Sequence, residues 1–300
     1  MKVQRLRTLA AAAVIVLAIG LMAGCGSGDS RSAAGGRDSK ELSIPVAAGW
    51  AEDVAVSYLW KYALEQKGYK VDLPQLDIGP VIAGVAKGDF DVFFDLWLPV
   101  THEDYWKQYK DKVEDIGIWY DAATLNIAVP KYVDADSIGD LKGMAAEFDG
   151  TITGVDSGAG LTRVTRDKAM KTYGLDDYKL RTSSMTAMLS ALKKATDAKK
   201  PIIVTLWHPH WAYSAFPIKD LKDPDGAMGK AEKIHVIGRN GFGKDFPELN
   251  AALARFKIDD KTLASLENTV LQENDDPATG AEAWAKDNQD FVDAMTKGIK

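Results

Sequence analysis

The sequence predicts an α/β protein of two lobes, each a mainly parallel sheet flanked by helices, with a ligand cleft between the lobes. Three observations carry this. From residue 41 short β-rich runs alternate with amphipathic helical stretches; a second such series opens at 125; and the chain returns late to the first unit before ending in helices. The implied division is 42–124 for the first part of lobe 1, 125–217 for lobe 2, and 218–300 for the return of lobe 1 with its C-terminal helices.

The first series begins with LSIPVAA (42–48), a buried strand, and EDVAVSYLWKYALEQKG (52–68), a helix stopped by Gly68. YKVDLPQL (69–76) reads as a strand, PVIAGVAKG (80–88) as a short helix and DFDVFFDLW (89–97) as a strand. In the second series LNIAVPKYV (125–133), TITGVD (151–156), YKLRTSS (178–184) and PIIVTLW (201–207) are strands. LTRVTRDKAMKTYG (161–174) and MTAMLSALKKATDAKK (185–200) are the helices between them. EKIHVIG (232–238) is one more strand, and residues 246–298 read as helices with short breaks.

The N-terminus speaks to compartment. MKVQRLR is followed by the apolar run LAAAAVIVLAIGLMAG and then Cys25, the only cysteine, so no internal disulfide can form. A positive start, a short apolar stretch and small residues at its end make residues 1–24 a secretory signal rather than a membrane span. Leu21-Met22-Ala23-Gly24-Cys25 resembles a bacterial lipobox, with Met22 a less usual residue in it. That implies lipidation at Cys25 and a flexible glycine/serine-rich tether over 25–41. The mature domain is then extracytoplasmic and lipid-anchored to the outer face of the cell membrane. Losing Lys2, Arg5 and Arg7 takes the formal charge from −6 to −9, which argues against nucleic acid as a partner.

Three of the eight tryptophans share an address. Trp50, Trp97 and Trp207 each end a predicted strand, and C-terminal strand ends face the crevice of an open α/β sheet. Converging indole faces make a box for a cation that needs no hydrogen bond, each face contributing about 0.5–2 kcal/mol. Three unrelated core tryptophans are the alternative, the reading preferred for Trp60, Trp106, Trp119 and Trp284. GVDSGAGLTRVTRD (154–167) adds an anion site: Gly158 and Gly160 free a turn that exposes backbone N–H groups where a helix begins. Leu161-Thr162 stand where a phosphate-binding loop needs Lys-Ser/Thr, so nucleotide is not expected. His102 either donates to the same anion or caps the next helix. A cation box and an anion nest in one cleft suit a zwitterion with a quaternary nitrogen and a carboxylate, a betaine.

The motifs GWAED, KGDFDVFFDLWLPVTH, TITGVDSGAGL, IIVTLWHPHW and NDDPATGAEAWAKDNQDFVD span residues 42–295. Through them the chain resembles the glycine-betaine/proline-betaine substrate-binding lipoproteins of ABC importers, which have the type II periplasmic-binding-protein fold. The resemblance implies that Trp50, Trp97 and Trp207 wall the trimethylammonium group. It gives the carboxylate backbone N–H groups from Gly160 and Leu161 and a side-chain donor from His102. It also implies ABC permease subunits as partners, with no cofactor and no metal. Glu52 leaves a choice open: choline-binding relatives have an acidic residue two positions after the first tryptophan, so an inward-facing Glu52 favours choline, and a helix-capping Glu52 favours betaine.

A secreted metal-dependent hydrolase is the competing class, prompted by His208 and His210. Pro209 lies between them, and the other histidines are His102 and His235. Asp95 could add a ligand, but no HExxH spacing or GxSxG elbow exists. His208-Pro209-His210 therefore reads as a rigid turn that orients Trp207, with Trp211 packing behind. No catalytic residue is expected.

Overall fold

The computed structural model describes residues 40–300. The leader, Cys25 and all but the last two residues of the tether lie outside the described residues. The strands are β1 (Glu41–Ser43), β2 (Val46–Ala47), β3 (Lys70–Asp72), β4 (Gln75–Leu76), β5 (Val92–Leu98), β6 (Val113–Pro130), β7 (Thr151–Gly154), β8 (Lys179–Thr182), β9 (Val204–His208), β10 (Ile218–Asp220) and β11 (Glu232–Arg239). The helices are α1 (Ala51–Glu65), α2 (Ile78–Lys87), α3 (Glu103–Tyr109), α4 (Gly160–Val164), α5 (Met170–Thr172), α6 (Met185–Asp197), α7 (Ala212–Ala215), α8 (Phe242–Asp245), α9 (Pro247–Arg255), α10 (Asp260–Leu271), α11 (Pro277–Asp287) and α12 (Gln289–Met295). A π-helical turn over Thr165–Ala169 joins α4 to α5.

The α/β class holds, but the sheet is mixed rather than mainly parallel. Its order is β5-β11-β6-β9-β7-β8, with β10 beside the end of β6. Parallel pairing is confined to β7 with β8 and β9, β1 with β3, and β2 with β4; β11 runs antiparallel to β5 and β6, and β6 antiparallel to β9 and β10. The reason is β6, an 18-residue strand whose first part pairs with β11 as far as Ala123 and whose second part pairs with β9 from Thr124. Such a strand carries the chain out of one half of the sheet, and β11 carries it back in the opposite sense. The sequence reading opened this strand only at 125 because VEDIGIWYDAAT interrupts its apolar run with acids. β10 still pairs with residues 128–130 of β6, and the Lys222 N–H donates to the Asp136 carbonyl.

Helix α1 shows how the first half is built. Val54, Ala55, Leu59, Trp60, Ala63 and Leu64 are all buried and recur at helical spacing. Each large one contributes about 1.5–3 kcal/mol by leaving water. The core tryptophans are where the sequence put them: Trp60, Trp119 and Trp284 are fully buried, and Trp106 is half-buried. Gly280 lets α11 lie directly on α10, since a Cβ there would stand 2.6 Å from the Val270 Cα. Both ends of the described chain belong to this half: the Lys40 Nζ donates to the Lys300 carbonyl at 3.1 Å.

Beneath the sheet edge, Asp91 fastens three strands. Its carboxylate accepts from the Ser43 N–H of β1 at 2.9 Å and from the Arg239 Nε of β11 at 2.8 Å. Removing the guanidinium would take the cation from a buried ion pair. Arg239→Ala is therefore expected to lower the unfolding free energy by about 3–5 kcal/mol, read as a reduced midpoint in urea denaturation.

Candidate ligand-binding site

Trp50, Trp97 and Trp207 converge. Trp50 precedes α1, Trp97 is the penultimate residue of β5, and Trp207 is the penultimate residue of β9. All three are buried, and together with Glu52, Thr101, Leu125, Val155, Ala159 and Leu161 they line one small cavity. The Trp50 and Trp207 rings stand 6.1 Å apart at 60°. Trp50 follows β2, which pairs only with β4, whereas Trp207 lies in β9 of the large sheet, so the cavity is built by segments far apart in the chain.

Two of the three indole N–H groups have fixed partners. The Trp97 Nε1 donates to the Asp95 Oδ1 at 2.7 Å, and the Trp207 Nε1 to the Glu52 Oε2 at 2.9 Å. The ring faces are thereby left free of polar work.

Of the two alternatives for Glu52, the capping one is absent and the side chain faces the cavity. Helix α1 begins at Ala51, with Trp50 at its cap position and no capping side chain, so Glu52 is not a cap. It is buried against the cavity, with one oxygen holding Trp207 and the other, Oε1, without a hydrogen-bond partner. Burial, then Asp95 and Glu267, pushes its carboxyl well above the usual range. Burial likewise pushes Asp95 up to about 7 and Glu267 of α10 up to about 8.

His102 is fully buried, and its ring stacks on Trp50 at 5.7 Å with 5° between planes. Its Nδ1 accepts from the Trp97 backbone N–H at 2.9 Å. Burial, aided by Arg163, pushes its pKa down to about 3, so the ring is neutral and its proton sits on Nε2. That N–H has no partner within the protein. The capping role left open for His102 is therefore absent: it precedes α3 without a side-chain cap bond.

Gly160 and Leu161 open α4, as the turn chemistry of the sequence suggested. A Cβ at Gly160 would lie 1.8 Å from the Thr101 carbonyl oxygen, so only glycine allows the loop after β5 to rest on this helix start. Contacts around this point join the two halves. Arg163 donates to the Val100 carbonyl at 2.6 Å and pairs with Asp104 at 3.2 Å, and the Tyr105 hydroxyl donates to the Gly158 carbonyl at 3.2 Å. Glu232, at the start of β11, clamps the same loop by accepting from the Val100 and Thr101 N–H groups and from the Thr101 hydroxyl.

The two histidines of WHPHW are occupied otherwise. His208 pairs with Asp220 at 2.7 Å and stacks on Tyr213 at 3.8 Å. The His210 Nδ1 accepts from the Ala212 N–H at 3.0 Å, and its ring meets Trp207 edge-on at 5.0 Å. They brace Trp207, and Trp211 packs behind against His210 and Phe216. Among the described residues no three His, Cys, Asp or Glu side chains stand together where they could hold a metal ion. Sequence reasoning missed Thr101, Leu125, Val155 and Ala159 in the lining and Arg163, Glu232 and Glu267 around it. The apolar members look like any strand residue, and the charged ones belong to no motif.

Residues 41–287 match the family model of the substrate-binding domain of ABC-type glycine betaine transport systems, OpuAC. The chain belongs to this family. The resemblance drawn from the tryptophan and glycine motifs is thus a membership. Among curated relatives, the glycine betaine/carnitine transport binding protein GbuC of Listeria monocytogenes is 40% identical over 163 residues, covering 53% of this chain and 53% of GbuC. The match therefore spans about half the length of that relative. The lactococcal OpuAC in its closed-liganded conformation complexed with glycine betaine superposes with a TM-score of 0.80 at 32% identity, covering 86% of this chain and 100% of that one. The glycine/betaine/L-proline-binding protein ProX from Borrelia burgdorferi gives 0.80 at 30% identity, covering 85% and 96%. These likenesses place the OpuAC-family chain in the two-lobed type II periplasmic-binding-protein fold. Among the described residues no helix is long and apolar enough to cross a membrane.

The buried carboxyls make folding pH-dependent. Glu267 ordinarily titrates near 4.5 and Asp95 near 3.8, and both sit higher when folded. A raised acid favours the folded form at low pH, so stability falls as pH climbs from about 4 through about 8. The melting temperature of the empty protein is expected to drop over that range, and Glu267→Gln to flatten the drop, as followed by circular dichroism.

Proposed function

We propose that the protein is the extracytoplasmic solute receptor of an ABC importer. It captures glycine betaine or a related quaternary-ammonium compatible solute and delivers it to the membrane permease in osmoprotection. In this reading residues 42–124 and the chain after Lys222 form one lobe and 125–222 the other, the change of β6's partners at Ala123/Thr124 supporting the division. Trp50, Trp97 and Trp207 wall the trimethylammonium group. The N–H groups of Gly160 and Leu161 and the Nε2–H of His102 hold the carboxylate. Cys25 carries the lipid that keeps the domain at the outer face of the membrane. Delivery is a binding cycle, and no bond of the solute is made or broken.

The observation that carries this is the pairing of three converging indoles with a neutral, fully buried imidazole whose Nε2–H lacks a partner. A buried donor left unmade costs about 1–3 kcal/mol, and a carboxylate arriving beside it removes that cost. Choline, which has a hydroxyl and no carboxylate, would leave the donor without an anion. The Glu52 Oε1 is the one feature that favours choline.

Calorimetric titration of the leaderless domain against glycine betaine, proline betaine, carnitine and choline tests the reading, and binding of none of them overturns it. Trp50→Ala, Trp97→Ala and Trp207→Ala are each expected to weaken betaine binding about tenfold or more with melting still cooperative; unchanged affinity in all three removes the box. Gly160→Ala forces the Thr101 loop off α4. The expected outcome is a larger radius of gyration by small-angle X-ray scattering with saturating betaine, together with weakened binding.

A further inference from the structure

A box that binds a cation by its ring faces needs only something to hold the rings. Here they are held by acids. The Trp207 Nε1 donates to Glu52 and the Trp97 Nε1 to Asp95, and Glu52 and Asp95 are 1% and 0% exposed. A serine hydroxyl or a backbone carbonyl would orient an indole equally well, as the Ser265 hydroxyl does for Trp284 and the Phe94 carbonyl for Trp119. An anion does more. It draws the N–H proton toward itself, which returns electron density to the ring and makes its face more negative. Its own charge also reaches the cavity through a medium of low dielectric.

Nothing among the groups facing these acids balances them. Glu52 and Asp53 on α1, Asp95 on β5 and Glu267 on α10 repel one another. His102 and His210 are held neutral by burial. The Glu52 Oε1, Asp95 Oδ2 and Glu267 Oε1 are buried without a hydrogen-bond partner. An acid of this cluster that ionises thus has no cation beside it, and the cavity lined by Glu52 is where a positive charge would enter.

We propose that Glu52 and Asp95 determine specificity: through the indole N–H bonds that join them to Trp207 and Trp97, they make the box select a permanently charged ammonium over a neutral group of the same shape. This rests on the box being the ligand site. A bound cation favours the ionised carboxylates, so cation affinity rises with pH until they are ionised in the empty protein, and a neutral ligand of equal shape gains nothing from that ionisation.

The test compares glycine betaine with 3,3-dimethylbutanoate, its carbon analogue, by displacement calorimetry. Glu52→Gln and Asp95→Asn keep an acceptor oxygen for the indole and remove the charge. Each is expected to narrow the betaine-to-analogue affinity ratio by about fivefold or more, chiefly through lost betaine affinity. In the unmutated protein the ratio is expected to rise between pH 6 and 8.5. Equal losses for both ligands, or an unchanged ratio, overturn the proposal by reducing the acids to structural props. If the variants do not fold, the pH profile of the unmutated protein decides, and a flat ratio overturns the proposal. Failure of the box itself is distinguishable, because the tryptophan-to-alanine variants would then keep their betaine affinity.

Discussion

Everything at the site depends on one close approach, the Thr101 carbonyl resting on the first residue of α4. A single methyl group at Gly160 would occupy the space of that oxygen. Because the residue is glycine, the loop after β5 descends onto the other half of the molecule and carries His102 and Trp97 with it. The ring of His102 then lies flat on Trp50, and Leu161 and Ala159 complete the cavity wall. The polar contacts that accompany this approach are few: Arg163 with Val100 and Asp104, Tyr105 with Gly158, Trp207 with Glu52. At about 1 kcal/mol each, such contacts hold two halves together without locking them. A ligand that touches both halves can tip that balance.

The second constraint is charge in a dry place. The cavity is walled by apolar and aromatic side chains, yet acids stand immediately behind the rings. Ionised and unpaired, they would be costly where they are, and burial accordingly holds their protons on to higher pH. Stability and recognition therefore pull in opposite directions at the same side chains. An empty box is most comfortable protonated, and a box holding a cation is most comfortable ionised. This is the usual relation between a binding site and the fold that carries it: the local arrangement is tolerated because the surrounding core, including Trp60, Phe93 and Phe94, is closely packed.

Much of this was legible in the residues. A tryptophan at the end of a β-rich run has an address, because strand ends in open α/β sheets face a crevice; Trp97 and Trp207 do stand at strand ends, whereas Trp50, read as ending the first strand, lies three residues past β2 at the start of α1. The glycines before LTRV announced a turn into a helix. The sense of the sheet was not legible. Alternation of strands and helices suggests parallel crossovers, but β6 is a long strand that runs between the halves and β11 lies antiparallel between β6 and β5, and no local pattern distinguishes a connecting strand from an interior one. Arg163, Glu232 and Glu267 were equally silent. Each is an ordinary charged residue in its own segment and acquires its role from partners 63, 132 and more residues away. Glu52 was noticed as a residue facing the box or capping a helix, but its bond to Trp207, 155 residues away, was not foreseen.

The proximity of Lys40 to Lys300 has a mechanical consequence. Both ends of the described chain leave from one half, and the other half is an excursion of the backbone out along β6 and home again. A pull on Lys40 or Lys300 enters through the first half and reaches the second only by the two connecting segments and the contacts at the cleft. A label near Lys40 or Lys300 would thus report on the first half, and one on α6 on the second.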